Sequence, residues 1–249
     1  MANVVPNYEG LNPWFYESRR IQVEPSTRCP LLCPDCARTQ VMASEFINSK
    51  GEKDYMRYPG FSIADLSIEN FNHFIRPENE LKCLHYNANL SDPIYSGTLM
   101  KQLDLVNEMD PRPRLFFSTN GSGKPTKFWK LFTSKLRNKD QVGFAIDGLE
   151  DTNHIYRINS EWDSIMNGLK IVLSEREPGV NVTWRYIVFS HNSHQVLEAY
   201  DKSVELGIDT FKLVKAAPRS GDERQITTEQ FKALEQGLIK YASKNLSEV

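Results

Sequence analysis

The sequence predicts an α/β protein whose parallel strands close only part of a barrel, a partial (βα)6 barrel. Three observations carry that expectation. Six strand-like segments alternate with helical ones along most of the 249 residues. The connections between successive strands are long enough to hold crossover helices, as parallel pairing requires. Six strands also fall short of the eight in a closed barrel of this kind. A chain of this length forms one substantial core by default.

RRIQVEP, Arg19 to Pro25, reads as a first strand stopped by a proline, and a cysteine-rich loop follows directly. The connection over 39–60 is long and polar, of the kind that is either functional or disordered. LSIENFNHFI then places Leu66, Ile68, Phe71, Phe74 and Ile75 near helical spacing, with Ser67 as N-cap. LKCLHYNA reads as the second strand, GTLMKQLDLVNEM as a helix, and RLFFSTNG as a third strand ending at Asn120-Gly121. KFWKLFTSKL is helical, QVGFAIDG is the fourth strand and WDSIMNGLKIVLSE the next helix. VNVTWRYIVFS, rich in β-branched and aromatic residues, is the fifth strand. HQVLEAYDKSVELG makes a helix closed by Gly207, TFKLVKAA a sixth strand, and TTEQFKALEQGLIKYASK a last amphipathic helix. The expected organisation is an N-terminal extension over 1–18, the barrel over 19–217, and a helical extension over 218–249 that packs on it after the polar break PRSGDERQ.

Thirty Lys and Arg stand against 32 Asp and Glu, a net charge of -2, and no basic block occurs. That balance argues against a nucleic-acid partner. No apolar run approaches the ~20 residues of a membrane helix, and MANVVPNYEG lacks the basic and apolar regions of a secretory leader. The chain is expected to be cytoplasmic, without a membrane partner. In a reducing compartment its four cysteines are expected to be metal ligands, catalytic groups or core residues rather than disulfides.

Three of the four stand in CPLLCPDC, as Cys29, Cys33 and Cys36; the other is Cys83, mid-strand, where a small thiol is most often simply buried. A structural zinc site commonly uses four ligands in two separated pairs. The triple would need a histidine such as His85 or His154 to complete one. A cubane in which the protein holds three irons and leaves the fourth open fits the triple directly.

EPSTRCPLLCPDC resembles the signature loop, CxxxCxxC after the first strand of a partial barrel, of the radical S-adenosylmethionine (radical SAM) superfamily. The resemblance extends over roughly Arg19 to Ala217. It implies that Cys29, Cys33 and Cys36 ligate a [4Fe-4S] cluster, and that the open iron is chelated by the amino and carboxylate groups of SAM. Reduction by an electron donor such as a flavodoxin or ferredoxin would then split SAM to methionine and a 5'-deoxyadenosyl radical, which takes hydrogen from a substrate the sequence does not name.

Further segments match by position. NANLSDP, with Asn89, Ser91 and Asp92, resembles the segment that receives the SAM amino group; Ser-Asp-Pro is also good turn chemistry. FSTNG resembles the family's third-strand ending, which makes Ser118 a contact for SAM or substrate, while Asn120-Gly121 turns the chain. FAIDGLEDTNHIYRI is similar to the fourth-strand pattern. It implies Asp147 near the ribose or substrate and Arg157 for a carboxylate, with His154 an exposed residue at a helix start. Arg185 in the fifth strand must find an anion or reach water; the SAM carboxylate and a structural Asp or Glu are equally good partners. Asn192 is a weaker candidate, since helix capping also explains it.

Two departures stand out. Ala145 replaces a frequent serine, and Asp35 stands where the family usually carries an aromatic residue beside the adenine. Asp35 is then left with its backbone for that contact, or an aromatic such as Phe117 or Tyr156 covers the base. The resemblance shows no auxiliary-cluster domain, and one cysteine beyond Cys36 disfavours a second thiolate-held cluster. Alternative readings are a zinc-binding interaction module and a catalytically degenerate Fe-S scaffold.

Overall fold

The computed structural model describes residues 19–42, 46–47, 53–54, 62–75, 80–86, 89–216 and 224–247. Six strands form one sheet: β1 (Arg20–Gln22), β2 (Cys83–Tyr86), β3 (Arg114–Thr119), β4 (Gln141–Ala145), β5 (Asn181–Val188) and β6 (Thr210–Lys215). They lie side by side in chain order and every neighbouring pair is parallel. β1 and β6 are the two edges, so the sheet does not close. The helices are α1 (Ala37–Met42), α2 (Ile68–Phe74), α3 (Leu99–Asn107), α4 (Thr126–Lys135), α5 (Asn153–Tyr156), α6 (Trp162–Glu175), α7 (Val196–Glu205) and α8 (Thr228–Ser247). Within the long connection after α1, Phe46–Ile47 pairs antiparallel with Lys53–Asp54. The remainder of that connection beyond Met42, the extension over 1–18 and the break at 217–223 lie outside the described residues.

Strand alternation sorts the side chains. Leu84, Leu115, Phe117, Phe144, Trp184 and Tyr186 face the helices and are buried. There Trp129 and Phe132 of α4 meet Phe144 and Phe117 at ring separations of 5.5 and 5.0 Å. Truncating one such ring to alanine costs about 3–5 kcal/mol. The other face carries His85, Phe116, Ser118, Gln141, Thr183 and Arg185, and no strand of this sheet contains Asp or Glu. One glycine matters on that face: a Cβ on Gly143 would lie 3.3 Å from the Phe117 carbonyl and 3.6 Å from Arg185 Cδ. The Arg185 stem crosses β4 at Gly143 and reaches Ser118 of β3.

The ends of the helices follow their sequence. Ser67 caps α2 by accepting from the Asn70 N–H at 3.1 Å, and Gly207, at φ +77°, ends the turn after α7. At the N-terminal ends of the strands, buried Asp140 accepts from the Leu115 and Arg137 N–H groups and from both terminal nitrogens of Arg112. That end of the sheet is locked. α8 packs on α7 and β6, with Phe231, Leu234 and Leu238 against the core and Tyr241 donating to Asp201 at 2.8 Å. Among the described residues no helix is long and apolar enough to cross a membrane.

Candidate functional site

The cysteines occupy the loop at the C-terminal end of β1, where parallel sheets present their functional loops. Three neighbours pin that loop. Thr27 donates from N to Ala64 O (2.9 Å) and from Oγ1 to Ser62 O (2.8 Å). Asp92 N donates to Arg28 O at 2.9 Å, and Leu32 N to Ile158 O at 3.1 Å. Cys36 N donates to Cys33 O at 3.1 Å, closing a turn, and α1 starts directly after it. All three thiols are free; Cys33 is buried, and Cys29 and Cys36 are half-buried.

Burial, with Asp92 adding to it, pushes the Cys29 thiol up to about 12. Burial pushes Cys33 to about 11, against the pull of Arg157. Such thiols keep their protons until a cation takes their place. Their surroundings suit iron and sulfide: Cys33 packs with Leu31, Tyr156, Phe189 and Ala216, and Asn120 Nδ2 donates to Cys29 Sγ at 3.6 Å. Among the described residues no three His, Cys, Asp or Glu side chains converge on a single ion. A cluster gives each thiolate its own iron and so tolerates the wider spacing. His85 instead stacks on Phe116 at 4.8 Å, and His154 is exposed on α5.

The loop after β2 lies against the cysteines, with Cys36 Sγ 4.0 Å from the Asn89 carbonyl oxygen. Sequence reasoning missed the residue that holds it there. Glu24 accepts from Asn89 N (2.5 Å), Leu90 N (3.4 Å) and Ser91 Oγ (3.5 Å). The signal was available, since a carboxylate at the C-terminal end of a strand segment is placed to catch a neighbouring loop's N–H groups. Asp92, expected to receive an ammonium, has its acceptor directions taken within the chain. Oδ1 accepts from Ile94 N and Thr119 Oγ1, and Oδ2 from Asn120 N and Nδ2. Burial outweighs these bonds and raises its carboxyl to about 6. Asn120 therefore does more than turn the chain, because it links Asp92 to Cys29.

Asp147, expected beside ribose or substrate, is fully buried, as is most of Arg157. Asp147 Oδ2 lies 2.8 Å from Arg157 Nε, and Oδ1 accepts from Ile187 N at 2.7 Å. The carboxylate that Arg157 meets is the protein's own. Asn192 caps no helix with its side chain. Its Nδ2 donates to Asp147 O and Ile187 O, and its Oδ1 accepts from Phe189 N, which ties the ends of β4 and β5 together. Arg185 is half-buried and donates to neutral Ser118 Oγ at 3.2 Å; no ion pair with it forms among the described residues. Of the two aromatics considered for the adenine, Phe117 faces the helices, stacked on Tyr86 at 4.8 Å, whereas Tyr156 packs with Cys33. Asp35 pairs through its carboxylate with Arg224 at 3.1 Å.

No family model and no curated protein matches the sequence. Solved structures do match the fold. The chain superposes on Streptococcus suis SuiB bound to S-adenosylmethionine with a TM-score of 0.66 at 13% identity, over 91% of this chain and 48% of that one. For anSMEcpe with bound AdoMet the TM-score is 0.68 at 12% identity, over 92% and 59%. For TYW1 with a lysine-pyruvate adduct it is 0.59 at 15% identity, over 93% and 78%. The chain thus spans about half of SuiB. With six parallel strands in chain order, an open seam and CxxxCxxC on the loop after the first strand, the chain has the partial-barrel fold of the radical SAM enzymes.

Proposed function

We propose that the chain is a radical SAM enzyme. Its Cys29, Cys33 and Cys36 would hold a [4Fe-4S] cluster, and SAM bound there would be cleaved to take hydrogen from a substrate. One observation carries the reading: the three thiols share the C-terminal end of the open sheet with the loops after β2, β3 and β4, which meet them at the Asn89 carbonyl, Asn120 and Tyr156. When bound, the cluster would supply the electron that splits the SAM sulfonium.

The chain's own residues would do the rest. The Asn89–Asp92 loop, held by Glu24, offers backbone carbonyls and the Ser91 hydroxyl to the SAM ammonium. Arg185, steadied by Ser118, is the cation for the SAM carboxylate. Arg157, held in place by Asp147, acts on Cys33 in the direction that favours its thiolate, and Asp147 acts against it. A flavodoxin or ferredoxin would deliver the electron. Structures of SuiB with precursor peptide SuiA and of anSMEcpe with the Cp18Cys peptide make peptides the first substrate class to assay.

Anaerobic reconstitution tests the reading. The wild type should bind about four irons and four sulfides, SAM should perturb the EPR spectrum of the reduced cluster, and dithionite should release 5'-deoxyadenosine. If replacing all three cysteines by alanine leaves iron and product unchanged, the proposal fails.

A further inference from the structure

Asp35 stands one residue before the third cysteine, yet its partner comes from 189 positions away. Arg224 Nη2 lies 3.1 Å from Asp35 Oδ2. The Arg224 carbonyl accepts from Ser190 N at 2.9 Å, which anchors the same residue to the chain just past β5. Its guanidinium carbon sits 5.6 Å from the centre of the Tyr156 ring, and Tyr156 in turn lies 4.3 Å from the Phe189 ring. Phe189, Tyr156 and Arg224 thus form a column beside Cys33. The Asp35 and Arg224 side chains are 20% and 26% exposed, so a ligand can reach the top of the column.

A carboxylate offers an adenine no flat face. A guanidinium does: it is planar, weakly hydrated, and stacks on aromatic rings and on nucleobases. We propose that Arg224 is the adenine-side positioning residue of this site, held over the cysteine loop by Asp35 and backed by Tyr156. The loss of an aromatic residue at position 35 is then compensated by the segment leading into α8. SAM binding and docking of that segment become one event. This rests on the SAM-binding reading above, and the experiment separates the two.

Cluster-loaded wild type, Arg224→Ala and Arg224→Lys would be compared by iron content, by equilibrium dialysis with SAM and with methionine, and by hydrogen exchange over 224–231. Arg224→Ala should keep its iron, bind SAM about tenfold more weakly, the loss of one charged contact, and exchange faster in that segment. Methionine, which lacks the adenine, should bind wild type and variant alike. Arg224→Lys keeps the charge for Asp35 and loses the plane, so it should keep slow exchange and still bind SAM weakly. Wild-type SAM affinity in either variant overturns the inference, as does an equal loss for methionine. If the wild type binds no SAM, the functional reading fails instead. Exchange in the cluster-free proteins then decides the clasp, and equal rates in wild type and Arg224→Ala refute it.

Discussion

Arg157 Nε and Asp147 Oδ2 meet at 2.8 Å in the interior, at the C-terminal end of β4, where the guanidinium acts electrostatically on Cys33. Neither partner can be removed cheaply. Asp147→Asn leaves a buried guanidinium without its counter-charge, and a loss of about 3–5 kcal/mol is expected. Urea unfolding of the cluster-free protein measures it; a loss below about 1 kcal/mol would mean that the pair is not a buried brace.

Asp92→Asn preserves shape but turns one acceptor oxygen into an NH2 group that faces donors. With Ile94 N, Thr119 Oγ1 and both Asn120 nitrogens aimed at the carboxylate, about 1–3 kcal/mol of stability should be lost. Iron uptake should fall as well, because Asn120 links this carboxylate to Cys29. Unfolding and iron analysis on one preparation would show whether the two losses travel together.

Arg185→Met keeps an unbranched stem across Gly143 and removes the guanidinium that donates to Ser118 Oγ at 3.2 Å. SAM affinity should drop about tenfold, the scale of one charged hydrogen bond, with little change in melting temperature. Unchanged SAM affinity would remove Arg185 from the carboxylate role.

Asp209 gives an acid-limb test remote from the cysteines. Burial works against its charge, but bonds from Arg176 and from Val182 N outweigh that and hold its carboxyl below the ordinary value. A depressed pKa contributes stability above the unfolded value near 3.8, and this is lost as pH falls through the folded value. Between pH 7 and pH 3 the wild type should therefore lose more stability than Asp209→Asn, whose amide does not titrate. Parallel denaturation curves at the two pH values check the sign.

Much of the architecture was legible because it is local. WDSIMNGLKIVLSE is α6 residue for residue, Ser67 caps α2, and the six strands fall within their segments. The cysteine triple was legible for the same reason, since its spacing is written within eight residues. Glu24 was not, because a carboxylate shows its partners only when β1 and β2 lie side by side. Asp92, Asp147 and Asn192 carried the right chemistry for ligand contacts, yet their side-chain bonds go to groups of the chain itself: Asp92 to Ile94, Thr119 and Asn120, Asp147 to Ile187 and Arg157, and Asn192 to Asp147, Ile187 and Phe189.

By itself the sequence determined the alternation of strands and helices, the parallel open sheet that follows from it, and three thiols after the first strand. Periodicity, caps and turns depend on near neighbours, so they survive translation into structure directly. Which charges meet was decided by the tertiary structure alone. Asp35 and Arg224 are far apart along the chain and 3.1 Å apart in space, because β5 and the segment before α8 converge over the cysteine loop. A buried or half-buried charge takes whatever partner the packing brings within reach, and no sequence spacing encodes that choice.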